Sequence, residues 1–200
     1  MNELETLNHA WFLSVNALPG TPHWLLVIAV LLAKDAVYLL PLLFVGLWLW
    51  TGHVCRRTLL EACLVVVIGL IISQIIGVAW PQPRPFALGL GHQWIPHVAN
   101  ASFPSNHMTV FTAAGLTLLF GRASAWGLLT LLVAIGVAWA RVFLGVHFPL
   151  DMFGAIGVAI LAWVAVTPVW SRAGDAVTDV LEWLYRRAFA WPIRHALARR

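Results

Sequence analysis

The chain has 200 residues, 61% of them hydrophobic and 10% charged, with a formal net charge of +4 and a mean hydropathy of +0.85. Water-soluble domains carry about 25% charged residues, so an ordinary globular core is excluded and a one-domain polytopic membrane protein is implied. The basic residues are scattered between apolar runs rather than gathered in a patch, so no nucleic-acid partner is expected.

The opening "MNELETLNHAW" has acidic Glu3 and Glu5 and no basic stretch, so no cleavable signal peptide is expected. Residues 8–18 are too polar to cross a bilayer and are expected to lie along its surface. Residues 23–33 read as a half-length interfacial or re-entrant helix, or as the upper half of one kinked span jointed at Lys34 and Asp35. A crossing helix needs about 20 apolar residues. Residues 36–50, 58–80, 105–121, 124–141 and 150–170 come close to that length. The fold class expected is all-α: a membrane bundle of five or six helices with short interfacial helices. The division expected is residues 1–34 as N-terminal interfacial helices, 36–170 as the bundle, and 171–200 as a basic tail.

Arginine placement orients such a bundle. Arg56, Arg57, Arg122, Arg172, Arg186, Arg187, Arg194, Arg199 and Arg200 all fall at one end, expected to be cytoplasmic, while Lys34, Arg84 and Arg141 fall at the other. In the tail, Val177, Val180, Leu181 and Leu184 have helical spacing. They suit an amphipathic helix on the inner leaflet or, equally, a solvated basic tail. Cys55 and Cys63 lack metal-site spacing and are expected to be free thiols.

The polar exceptions gather at the other end. The loop "WPQPRPFALGLGHQWIPHVANA" carries Arg84, His92 and His97, "PSNH" opens the third span, and "ARVFLGVHFPLD" joins the fourth span to the fifth. Arg84, Ser105, His107, Arg141, His147 and Asp151 are therefore expected at one membrane level. Each alone could be an interfacial anchor or interhelical glue, but an ionisable group near lipid is costly unless paired. Two guanidiniums suit phosphate oxygens. Ser105 sits at an N-cap position, leaving the N–H groups of Asn106 and His107 facing outward from a positive helix end.

His147 and Asp151 are i and i+4, with Pro149 suited to the first turn of a helix. The carboxylate can fix one ring nitrogen, leaving the other free to attack phosphorus. His107 can protonate the departing oxygen; an unperturbed imidazole near pKa ~6.5 suits either role. No carboxylate cluster suited to a metal is evident, so neither metal nor cofactor is expected.

These residues resemble the type-2 phosphatidic acid phosphatase superfamily, whose three motifs are Lys-x6-Arg-Pro, Pro-Ser-Gly-His and Ser-Arg-x5-His-x3-Asp. Here they read "GVAWPQPRP", "PSNH" and "ARVFLGVHFPLD", in order. The resemblance implies a phosphohistidine mechanism with His147 as nucleophile, Asp151 as its partner and His107 as acid. It implies phosphate binding by Arg84, Ser105, Asn106 and Arg141. Gly77 stands where the family has Lys, Asn106 where it has Gly, and Ala140 where it has Ser. Lys34 is a candidate to supply the missing cation.

"RPF…WIPHVANASFPSNH" is also similar to the bacitracin-resistance branch of undecaprenyl-diphosphatases, which would place His97 beside the site, as an accessory group or as a loop histidine bonded to water. The implied activity is hydrolysis of undecaprenyl diphosphate on the outer face of a bacterial inner membrane, with a polyprenyl diphosphate lipid and membrane lipids as partners and no protein partner. Another lipid phosphatase, a phosphotransferase, or a non-catalytic anion or lipid transporter would suit the same residues.

Overall fold

A computed structural model describes residues 3–188, which form helices and loops with no strand among them. Arg194, Arg199 and Arg200 of the expected tail lie outside the described residues. The helices are α1 (Glu3–Val15), α2 (His23–Val30), α3 (Leu39–Trp50), α4 (His53–Ala79), α5 (Asn106–Phe120), α6 (Ser124–Phe143) and α7 (Pro149–Ala188). Four helical stretches among the described residues are long and apolar enough to cross a membrane: His23–Trp50, His53–Ala79, Ser124–Phe143 and Pro149–Ala188. The chain is therefore a multi-pass, all-helical membrane bundle.

The first of these stretches joins two segments that look separate in sequence. A π-helical turn, Leu31–Asp35, and a 3-10 turn, Ala36–Tyr38, carry α2 into α3 without a break. Lys34 and Asp35 thus sit in a locally rewound stretch of one kinked helix. Its 28 residues give a length of about 42 Å, ample for a crossing.

α5 is the shortest of the core helices, at 15 residues, and packs against α4, α6 and α7. It is about 22 Å long, short of the ~30 Å hydrocarbon core, which leaves room over its ends inside the bundle. Small residues let its neighbours come close, as in membrane bundles generally. Gly69 of α4 packs on Thr109, and a Cβ on Gly127 of α6 would lie 2.2 Å from the Leu119 backbone nitrogen. Ser73 Oγ and Thr109 Oγ1, 3.2 Å apart and buried, add a hydrogen bond between α4 and α5.

Two segments differ from their sequence-based expectation. α1 does not merely lie on the surface: Phe12 is 0% exposed and packs edge-on against Phe148. Asn16 is also buried; its Nδ2 donates to the carbonyls of His92 and Phe143, and its Oδ1 accepts from the His92 N–H. The polarity that seemed to bar α1 from the bundle is spent in these bonds.

The second is the stretch after residue 170, which continues α7 as one 40-residue helix. Its buried stripe is Gly174, Thr178, Glu182 and Tyr185, whereas Val177, Val180 and Leu184 are exposed. Arg56, 0% exposed, bonds Glu182 Oε1 at 3.2 Å and lies over the rings of Trp48 and Tyr185. An ion pair with α4, invisible to hydrophobic spacing, set which face packs.

Replacing Gly127 with Ala forces a methyl into the α5 backbone. The substitution should cost about 1–3 kcal/mol, read as a lower thermal midpoint of the detergent-purified protein. An unchanged midpoint would contradict this close α5–α6 approach.

Candidate active site

One cavity, of about 270 Å³, opens at the end of the bundle where α5 begins. Arg84, His97, His107, Arg141 and His147 all line it, together with Asn106 and part of α4. Five side chains singled out by charge and spacing therefore meet in one place, from three separate loops and helix ends.

The short turn between α6 and α7 places two of them. Gly145 has φ +81°, and a Cβ there would lie 2.1 Å from the His92 carbonyl oxygen, so only glycine fits this backbone. Beyond it, Pro149 opens α7, where its missing N–H costs nothing. Asp151, in the first turn, reaches back to accept the Phe148 N–H at 2.9 Å, the return half of a capping box. The next free amide, Leu150 N–H, donates to Asn8 Oδ1 of α1 at 3.1 Å.

His147 is 2% exposed and Asp151 3%. The imidazole Nδ1 lies 3.0 Å from Asp151 Oδ2. Nε2 lies 3.1 Å from Arg84 Nη1 and 3.3 Å from Arg141 Nη2. Guanidinium groups only donate, so Nε2 carries the lone pair and Nδ1 the proton. One lone pair is shared by two cationic donors. Burial, then the charges of Arg141 and Arg84, hold this histidine well below its ordinary pKa. It is neutral at pH 7, the form in which Nε2 is nucleophilic.

Arg84 is held as tightly. Nε and Nη2 both donate to Asn100 Oδ1, at 3.0 and 2.9 Å, and Nη2 also to the Ala101 carbonyl. Nη1 donates to the Val146 carbonyl at 2.7 Å, besides His147. Burial lowers its pKa to about 10, opposed by the Asp151 charge, which leaves it cationic at neutral pH. Arg141 donates through Nη1 to the Ala33 carbonyl at 2.9 Å, while its buried Nε has no partner among the described residues. An orphaned guanidinium N–H beside a polar cavity is a donor awaiting an acceptor.

The mouth of α5 forms another wall. Ser105 caps the helix, its Oγ accepting the Met108 N–H at 3.5 Å. That hydroxyl is fully buried and does not line the cavity, so its direct role is the cap. Its own N–H donates to the Asp151 carbonyl, tying α5 to α7. The side chains of Asn106 and His107 do line the cavity, where the first N–H groups of a helix are free to meet an anion.

The two accessory candidates separate. His97 lines the cavity; its Nε2 lies 3.2 Å from Arg141 Nη2 and its Nδ1 3.0 Å from the Val98 carbonyl. Its imidazole therefore accepts from the arginine and donates to the backbone. Burial keeps its pKa below the ordinary value, against the pull of the Val98 carbonyl. Lys34 is exposed and does not line the cavity; its helix contributes the Ala33 carbonyl to Arg141 instead.

Two residues escaped notice in sequence. Ser102, 0% exposed, donates its hydroxyl to Asp151 Oδ2 and sits 3.3 Å from His147 Nδ1. Asn100 is the acceptor for Arg84. Their one sequence signal is position: both are polar residues in the loop directly before Pro104.

Residues 58–175 match the family model described as the PAP2 superfamily. The chain belongs to that superfamily. It is 35% identical to YbjG of Escherichia coli (strain K12) over 98% of this chain and 99% of that protein. It is 31% identical to the undecaprenyl-diphosphatase BcrC of Bacillus subtilis (strain 168), over 78% of this chain and 80% of the relative. The crystal structure of LpxE from Aquifex aeolicus superposes with a TM-score of 0.64 at 22% identity, covering 80% of this chain and 94% of that one, so the two share a fold.

Because burial and the neighbouring cations disfavour the imidazolium, the neutral form of His147 should persist as the pH falls through the ordinary histidine range, ~6.5. Nitrogen-15 NMR of labelled protein should show one neutral tautomer with Nδ1 protonated throughout that range. A titration of His147 centred near the ordinary value would contradict the geometry.

Proposed function

We propose that this protein hydrolyses undecaprenyl diphosphate to undecaprenyl phosphate and inorganic phosphate, through a phosphohistidine at His147. The observation that carries the proposal is the Nε2 lone pair of a neutral, buried His147, held by Arg84 and Arg141 in the wall of a cavity that His107 also lines. The names and extent of the PAP2 relatives support the choice of lipid.

Without substrate, the guanidiniums satisfy the Nε2 lone pair. A terminal phosphate offers them three better acceptors, and charge-assisted bonds to its oxygens release Nε2 for attack. Nε2 then forms a bond to phosphorus as the bond to the bridging oxygen breaks. Asp151 stabilises the charge that develops on the ring through Nδ1–H, and Ser102 and the Phe148 N–H hold that carboxylate in place. Burial, then the Arg141 charge, lowers the pKa of His107 to about 4 in the free protein. The negative charge of the bound diphosphate raises it again, so that His107 takes up a proton with the substrate and delivers it to the departing undecaprenyl phosphate. In the second step His107 takes a proton from water, the oxygen attacks phosphorus, and the P–N bond breaks. Arg84, Arg141 and the α5 amides neutralise the equatorial oxygens in both steps, the largest contribution expected for phosphoryl transfer.

The site is assigned to the outer face of the bacterial inner membrane. Arg56, Arg57, Arg122, Arg172, Arg186 and Arg187 lie toward the opposite end of the bundle, as cytoplasmic residues do. The prenyl chain stays in lipid while the diphosphate enters the cavity.

Phosphate release by the full chain in detergent tests this directly, with undecaprenyl diphosphate and phosphatidic acid as alternative substrates, with and without EDTA. Undecaprenyl diphosphate should be preferred, EDTA should have no effect, and His147→Ala should lower turnover by at least about 10³-fold. Preference for the glycerolipid, or a His147→Ala variant that retains activity, would overturn the assignment.

A further inference from the structure

We propose that the α4 wall of the cavity, Gln74 together with the open space at Gly77, is the subsite for the second phosphate of a diphosphate headgroup, the one that remains on the lipid. The proposal rests on His147 and the arginines holding the terminal phosphate.

Gln74 is an exposed carboxamide on a membrane-spanning helix, between Ile71 and Ile75, which are 49% and 62% exposed on the bundle surface. It lines the same cavity as His147 and has no hydrogen-bond partner among the described residues. A polar group at this depth is costly unless something pairs with it. Its amide offers two N–H donors, and no protein acceptor uses them.

Gly77 lies less than one turn further along α4, also on the cavity wall. A Cβ there would meet only the Ala101 Cβ at 3.4 Å and the Phe103 carbonyl oxygen at 3.8 Å, ordinary contact distances. Neither packing nor backbone conformation requires glycine at this point, and in a helix it costs ~1 kcal/mol relative to alanine. What its bare backbone provides is volume beside Gln74. The cavity has room for the extra group: about 270 Å³ is several times the ~30 Å³ share of one water, more than a single phosphoryl group fills.

Arg84 cannot serve both phosphates. Its N–H groups are already committed to Asn100, Ala101, Val146 and His147, and only the last is released on binding. The second phosphate therefore needs other donors, and Gln74 on α4 and Asn106 at the mouth of α5 are the unpaired amides on the same cavity. Val78, 82% exposed and also on the cavity edge, gives the attached prenyl chain an apolar exit toward lipid. During attack on the terminal phosphorus, charge grows on the retained phosphate, and an amide N–H from Gln74 stabilises it there.

The test compares the full chain with Gln74→Leu and Gly77→Leu on a polyprenyl diphosphate and on a polyprenyl monophosphate of equal chain length. Both variants should lose about tenfold in kcat/KM on the diphosphate, the size expected for a lost bond to a charged group, and change less than about twofold on the monophosphate. Inorganic pyrophosphate should inhibit the unaltered protein more strongly than inorganic phosphate, and Gln74→Leu should remove that difference. Equal losses on both lipids, or an unchanged pyrophosphate preference, would overturn the subsite while leaving the phosphatase intact. No phosphate release from either lipid by the unaltered protein would overturn the phosphatase reading and the subsite with it.

Discussion

Arg84 and Arg141, 4% and 3% exposed, both reach the same nitrogen of His147, and the carboxylate in contact with that ring is Asp151. Two cations and one anion are thus buried together, leaving an excess of positive charge where water is scarce. Removing an ion from water costs several kcal/mol even after relaxation, so such a cluster persists only if its donors are satisfied and an anion can complete it. Carbonyl groups meet most of the requirement: Ala33, Ala101 and Val146 accept from the guanidiniums, and Asn100 accepts twice. The unpaired Nε of Arg141 and the first amides of α5 are what remain. That residue of unmet charge is what a phosphate would complete.

Holding this arrangement explains much of the surrounding architecture. The turn after α6 can place His147 only because Gly145 adopts a conformation closed to other residues. Asn16, directly after α1, then fastens the His92 loop to the end of α6, and Trp94 donates its backbone N–H to the Leu144 carbonyl and its Nε1–H to the Ala17 carbonyl. Asn8 completes the start of α7 from outside. α1 is therefore a strut for the site. At the far end, Arg56 and Glu182 perform the same service for α4 and α7 without any access to the cavity.

Much of this was legible in the chain itself. The apolar runs gave the bundle, Ser105 the start of α5, and the i, i+4 pair His147 and Asp151 the central contact, because each depends on local spacing. What escaped depends on long-range pairing. Ser102, Asn100, Asn16 and Asn8 are solitary polar residues whose partners lie 16 to 142 positions away, and no periodicity marks them. Lys34 looked like a replacement cation because it has the right charge at the right end; the π turn leaves it exposed and brings the neighbouring Ala33 carbonyl to Arg141 instead. In the tail, hydrophobic spacing marks the valine and leucine face, which stays exposed, whereas the face that packs on α4 is set by the Arg56–Glu182 ion pair, which no spacing marks.

The central claim is that this buried charge cluster serves to form a bond between His147 Nε2 and phosphorus. Rapid alkaline quenching of the protein during turnover of a polyprenyl diphosphate labelled at its terminal phosphate, followed by peptide mapping, tests it most directly. An acid-labile, base-stable label on the peptide containing His147 is predicted. Steady turnover with that peptide unlabelled, or with the label on another residue, would contradict it.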